Sequence, residues 1–127
     1  MKYKILVVDD EPDLEFMIRQ IFIEQIYREE YEFVFAQNGV EAIEKLRNNG
    51  AINLLLTDIN MPEMDGLTLL SRIKEINPYL KSIVISAYGD SKNIQTARQR
   101  GASDFITKPI DIDGLEVTIK KSLQAAE

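Results

Sequence analysis

Short apolar stretches alternate with longer amphipathic ones along this chain, and the alternation repeats five times. The apolar stretches are Ile5-Leu6-Val7-Val8, Phe33-Val34-Phe35-Ala36, Leu54-Leu55-Leu56-Thr57, Ile83-Val84-Ile85 and Phe105-Ile106. Three of these are continuous apolar runs, the pattern of strands covered on both faces, as in a parallel sheet. The stretches between them carry helical periods. Leu14, Met17, Ile18, Ile21 and Phe22 recur at helical spacing behind Pro12, which suits a first turn. Val40, Ile43 and Leu46 mark a second helix closed by Asn48-Asn49-Gly50, and Leu67, Leu70, Ile73 and Ile76 a third, stopped by Asn77-Pro78. A fourth, around Ile94 and Ala97, has the weakest apolar stripe, and Ile112, Leu115, Ile119 and Leu123 form the last.

Five strand-then-helix units predict a doubly wound α/β sandwich with a parallel sheet and five helices. Right-handed crossovers and burial of the first strand favour the order 2-1-3-4-5, the order of flavodoxin-like folds. In such sheets a ligand sits beyond the carboxyl ends of the strands, where the winding reverses between strands one and three.

Composition narrows the chemistry. The 127 residues read as one domain, 1–127, without linker or repeat, and 45% apolar residues suffice for a core. A net charge of −6 argues against a nucleic-acid partner and is compatible with plain solubility. The chain has no cysteine and no histidine, which excludes disulfides, thiolate sites, serine–histidine pairs and histidine metal sites. No apolar run approaches the ~20 residues that span a bilayer and no signal-peptide pattern is seen, so no membrane partner and a cytoplasmic location are expected.

The polar residues fall at one edge of the predicted sheet. Strand one ends in Asp9-Asp10-Glu11, strand three in Asp58 and strand four in Ser86, and strand five runs into Thr107-Lys108-Pro109. Neighbouring strands one and three bring Asp9, Asp10 and Asp58 together, and their mutual repulsion calls for a compensating charge. With oxygen ligands alone on offer, Mg²⁺ or Mn²⁺ is the metal class to expect. Each residue also has a plainer reading. Asp9 and Asp10 could cap the following helix, Asp58 could serve a turn, Lys108 could be a surface lysine and Ser86 a satisfied hydroxyl.

Four segments carry a resemblance to a known family. Val7-Val8-Asp9-Asp10-Glu11-Pro12, Thr57-Asp58-Ile59-Asn60-Met61-Pro62-Glu63-Met64-Asp65-Gly66, Ser86-Ala87 and Gly101-Ala102-Ser103-Asp104-Phe105-Ile106-Thr107-Lys108-Pro109 resemble receiver domains of two-component response regulators. The similarity spans essentially the whole chain in order and spacing. It implies that Asp58 accepts a phosphoryl group from a phosphohistidine. It implies that Asp10, Asp58 and the backbone carbonyl of Asn60 bind Mg²⁺ directly, with Asp9 acting through a metal-bound water. Ser86 would hydrogen-bond the phosphoryl group and Lys108 would pair with it. Inward movement of Ser86 would make room for Phe105, the switch aromatic, and so change the face made by the fourth helix, fifth strand and fifth helix. The donor histidine must belong to a histidine kinase or histidine phosphotransfer protein, because this chain has none. An output target on the switching face is implied without being identified, and a free-standing regulator and a part of a longer protein are both compatible with the chain.

The chain departs from the commoner pattern in places. Phe105 lacks the hydroxyl of the tyrosine often found there, and Tyr27-Arg28-Glu29-Glu30-Tyr31-Glu32 is longer and more charged than usual. Tyr88, two residues after Ser86, is placed to affect access of hydrolytic water. Rival readings fare worse. An Asp-nucleophile phosphatase would carry a second Asp where Glu11 stands, and a dinucleotide site would need a glycine-rich turn where the acids stand. A pseudo-receiver docking module would not need Asp9, Asp10, Asp58, Ser86 and Lys108 together.

Overall fold

The computed structural model describes residues 2–49, 51–61, 63–87 and 90–125. Gly50, Pro62 and Tyr88, which carried expectations above, lie outside the described residues. In chain order the elements are β1 (Tyr3–Val8), α1 (Pro12–Ile21), α2 (Ile23–Tyr27), β2 (Tyr31–Ala36), α3 (Gly39–Asn49), β3 (Leu54–Asp58), α4 (Gly66–Ile76), β4 (Lys81–Ala87), α5 (Ser91–Gln99), β5 (Asp104–Lys108) and α6 (Ile112–Ala125). The five strands form one sheet in the order β2-β1-β3-β4-β5, with every pairing parallel. This is the expected doubly wound sheet.

Alternation of side chains across the strands splits the core into two layers. Ile5, Val7, Leu54, Leu56, Ile83 and Ile85 pack with Leu14 and Ile18 of α1 and Leu115 and Ile119 of α6. On the other face Leu6, Val8, Leu55 and Val84 meet Ala42 and Leu46 of α3, Leu69 and Ile73 of α4, and Ala97 of α5. The continuous apolar runs of β1 and β3 therefore serve both layers, as their pattern required. Ala97 is the one buried residue of α5, in keeping with its weak apolar stripe.

The helix count is corrected from five to six. The first amphipathic stretch bends at Phe22, whose φ of −106° and ψ of 25° leave the helical region, and the chain continues as α2. Phe22 is fully buried, with its ring centroid 5.5 Å from Tyr31 and 5.4 Å from Phe33. The long segment noted above thus ends α2, turns through Glu29 at a φ of 59°, and enters β2 at Tyr31. The predicted fourth and fifth helices are α5 and α6.

Candidate functional site: an acidic pocket closed by a lysine

The carboxyl ends of β1, β3, β4 and β5 meet at one rim of the sheet. Register fixes who is beside whom: Val8 lies opposite Thr57, Asp58 opposite Ile85, Ser86 opposite Thr107 and Ala87 opposite Lys108. Asp9 and Asp10 follow β1 directly, Asp58 and Lys108 end β3 and β5, and Ser86 is the last residue but one of β4, so each is carried to this rim by a hydrogen-bonded strand.

Asp9, Asp10 and Asp58 each offer a carboxylate oxygen, and the three oxygens lie within 4.8 Å of one another. Asp58 is 2% exposed, Asp9 is half-buried and Asp10 faces solvent. Lys108 reaches in from the end of β5 and its Nζ donates to Asp58 Oδ2 at 2.8 Å. The backbone amide of Asn60 donates to Asp58 Oδ1 at 3.2 Å, so Asp58 does support a turn as well as the pocket. Ser86 is 1% exposed, and its Oγ has no hydrogen-bond partner among the described residues. Buried hydroxyls are usually paired, so an unpaired one at the rim of a polar pocket is placed to serve a ligand.

The electrostatics follow from this crowding. Burial, with the neighbouring charges of Asp58 and Asp10 and against the hydrogen bond donated by the Glu11 amide, raises the carboxyl of Asp9 to about 6. Burial by itself would lower the ammonium of Lys108, but its hydrogen bond and charge interaction with Asp58, aided by Asp9 and Glu11, outweigh that and hold it above its ordinary value. The pocket is short of positive charge even with Lys108 in place. An all-oxygen set of closely spaced, partly exposed carboxylates suits a hard divalent cation, so the residues fit Mg²⁺ or Mn²⁺.

Four of the five side chains singled out in the sequence, Asp9, Asp10, Asp58 and Lys108, are brought together here, and Ser86 lies at the same rim on β4, directly after Ile85, the register partner of Asp58. Helix capping does not account for the acids at β1: Glu11 is the N-cap of α1, and Asp9 Oδ1 instead accepts from the Glu11 amide at 2.9 Å. Phe105 stands apart from the pocket, half-buried against the α3–α4–α5 core layer with the Arg98 guanidinium carbon 5.0 Å from its ring centroid. Two supporting residues were present in the quoted motifs but given no role. Asp65 caps α4 by accepting from the Thr68 amide at 2.8 Å, and the Gly66 amide donates to the Ile59 carbonyl at 2.8 Å. Together they fix the loop that carries Asn60; the Asp-Gly pair ahead of an apolar helix was the available signal.

A parallel 2-1-3-4-5 sheet with acids on strands one and three and a lysine on strand five defines a class, and comparison with known proteins names it. The family model for the response regulator receiver domain matches residues 5–120, and the chain belongs to that family. It is 38% identical over 123 residues to the chemotaxis protein CheY of Bacillus subtilis (strain 168), covering 97% of this chain and 99% of that protein. It is 33% identical over 123 residues to sporulation initiation phosphotransferase F of the same organism, with 97% and 95% coverage. Against the transcriptional regulatory protein ZraR of Escherichia coli (strain K12) it is 36% identical over 93 residues, 73% of this chain but 21% of the relative. Among solved structures, the CheY-like receiver domain protein from Methanospirillum hungatei JF-1 superposes with a TM-score of 0.87 at 29% identity, covering 99% of this chain and 97% of that one. The receiver domain of NtrX from Brucella abortus gives 0.81 at 34% identity, with 94% and 98% coverage. The protein is a receiver-type signalling module of two-component regulation, and no helix among the described residues is long and apolar enough to cross a membrane.

Proposed function

We propose that this chain, read as a single receiver domain over residues 1–127, is a phosphoacceptor switch that carries its phosphoryl group on Asp58. The observation that carries the reading is Lys108 Nζ at 2.8 Å from the buried carboxylate of Asp58, in a pocket shared with Asp9 and Asp10.

An oxygen of Asp58 attacks the phosphorus of a phosphohistidine; an O–P bond forms, the P–N bond breaks, and the imidazole leaves with its electron pair. Such transfers depend mainly on positioning and on neutralising charge at the phosphoryl oxygens. Lys108 supplies one positive charge and is already oriented by Asp58. Ser86 Oγ, free of competing partners among the described residues, donates to a phosphoryl oxygen. Asp10, Asp58 and the Asn60 carbonyl would hold Mg²⁺ or Mn²⁺ directly, with Asp9 supporting through water. When bound, the cation offsets the charge of the acids and of the phosphoryl group. The donor is a histidine kinase or histidine phosphotransfer protein, and the domain works in the cytoplasm on an output partner that reads the α5–β5–α6 face. Engagement of Ser86 lets Phe105 bury more deeply and so alters that face.

The test is mass spectrometry after incubation with phosphoramidate and Mg²⁺. A gain of one phosphoryl group that is absent in Asp58→Asn supports the reading. No gain in the wild-type protein, or an unchanged gain in Asp58→Asn, overturns it.

A further inference from the structure

The geometry points to Arg98 as a latch: its guanidinium holds the ring of Phe105 in the half-buried position and so sets how readily the switch turns. This rests on the phosphoacceptor reading above and adds a residue to it.

Phe105 has no hydroxyl, so no hydrogen bond can hold its ring at the surface. Something else must, because an apolar ring half-exposed beside a core gains by burying further. The structure supplies that restraint. The guanidinium carbon of Arg98, on α5, lies 5.0 Å from the centroid of the Phe105 ring, within reach of a cation–π attraction. Arg98 takes part in none of the ion pairs among the described residues, so no carboxylate competes for its charge. The side chain is exposed, and it cannot follow the ring into the core. Deeper burial of Phe105 therefore breaks the contact.

The contact also bears on α5 as a whole. Ala97 is the helix's one buried residue, and the contact of the neighbouring Arg98 with the Phe105 ring links this sparsely buried helix to β5. Phe105 pairs in register with Val84, two residues before Ser86, and Thr107 pairs with Ser86 itself. The strand pair that carries the phosphate-sensing hydroxyl thus carries the latched ring too. A cation–π contact at an exposed site changes an equilibrium by about two- to fivefold. By linkage, what favours the half-buried ring disfavours phosphorylation by the same factor. Arg98 biases the domain toward its resting state.

The experiment places 4-fluorophenylalanine at position 105 of the full chain and follows its ¹⁹F resonance, with and without phosphoramidate and Mg²⁺. Arg98→Ala, Arg98→Met and Arg98→Lys are compared with wild type, and urea midpoints confirm that each folds. Arg98→Met keeps an apolar stem without the charge. The expected result is a shift of about two- to fivefold in Arg98→Ala and Arg98→Met toward the resonance that phosphorylation favours, with Arg98→Lys between. Unchanged populations in Arg98→Ala, or a shift in Arg98→Ala that Arg98→Met does not share, would overturn the latch. A phosphorylated wild type whose resonance does not move would also overturn it and leave the phosphoacceptor reading standing. Failure of the wild type to take up a phosphoryl group removes both.

Discussion

A β-carbon on Gly66 would collide with the carbonyl oxygen of Asp58 and crowd the Cα of Ile59. The first residue of α4 is thus pressed against the backbone of Asp58, and the Gly66 amide is tied at 2.8 Å to the Ile59 carbonyl. Any side chain at 66 must push Asp58 out of line with Lys108 or lift α4 from the sheet. Gly66→Ala is expected to lower stability by about 1–3 kcal/mol, the usual cost of overpacking. It should also slow phosphorylation by a small donor more than tenfold, since misplacement of a reacting group by about 1 Å can cost on that order. Urea midpoints and phosphorylation rates on the same preparation check both. A normal rate in a destabilised variant would mean that the pocket tolerates the displacement.

Ser86 gives an expectation of opposite sign for stability and for function. Its Oγ is buried without a partner among the described residues, and such a hydroxyl costs roughly 1–3 kcal/mol relative to a paired one. Ser86→Ala removes that cost along with a few atoms of packing. The unphosphorylated variant should therefore be as stable as wild type or more so, whereas its phosphorylation should slow and its output should weaken. Denaturation midpoints below wild type would show that the hydroxyl has a partner in the resting protein.

The raised carboxyl of Asp9 makes stability depend on pH in a stated direction. Its value in the folded protein is about 6, against 3.8 unperturbed, so the folded state holds the proton more tightly than the unfolded state does. The contribution is fully favourable below about pH 4 and is lost as pH rises through 6. For a half-exposed group the loss comes to about 1 kcal/mol after solvent screening is allowed for. In the presence of a chelator, Asp9→Asn should gain on wild type by about that amount between pH 4 and pH 7. Added Mg²⁺ should stabilise wild type more than the variant at pH 7, by mass action on the folded state. Equal midpoints at both pH values would show that Asp9 is not under strain.

Much of this was legible along the chain because the determinants are local. Continuous apolar runs announced β1 and β3, and the residues that end those strands, Asp9, Asp10 and Asp58, were for that reason placed correctly. Lys108 and Asp58 stand 50 residues apart, yet strand order alone put them on one rim. What was missed depends on packing between distant segments. The bend at Phe22 and the extra helix α2 answer to an aromatic cluster with Tyr31 and Phe33, and nothing within α1 itself signals the break. The hold of Arg98 on Phe105 was hidden for a related reason, since it joins a helix and a strand through an exposed side chain that periodicity ignores. Gly66 carried no role along the chain because its neighbour, the Asp58 carbonyl, is set by how α4 docks.

Lys108 separates the resting stability of the pocket from its signalling. Its ammonium is the cation nearest Asp58, at 2.8 Å, and Asp58 is almost wholly buried beside Asp9. Lys108→Ala leaves that carboxylate without its partner, and loss of one member of a buried pair is costly. Lys108 itself is about one-third exposed, so the expected cost at neutral pH is about 1–2 kcal/mol rather than the full value for a closed interior. Mg²⁺ should restore most of it, and should bind Lys108→Ala more tightly than wild type because no ammonium competes for Asp58. Asp58→Asn, nearly isosteric and one charge fewer, should fold normally and abolish phosphorylation. In Lys108→Ala, phosphorylation by a small donor should persist while the ring of Phe105 no longer responds to it, because the phosphoryl group has lost the partner that fixes it beside Ser86. Calorimetric Mg²⁺ titrations and urea midpoints with and without metal check the first part, and the Phe105 fluorine resonance checks the second. Unaltered Mg²⁺ affinity in Lys108→Ala would mean that the ion pair and the metal do not share Asp58.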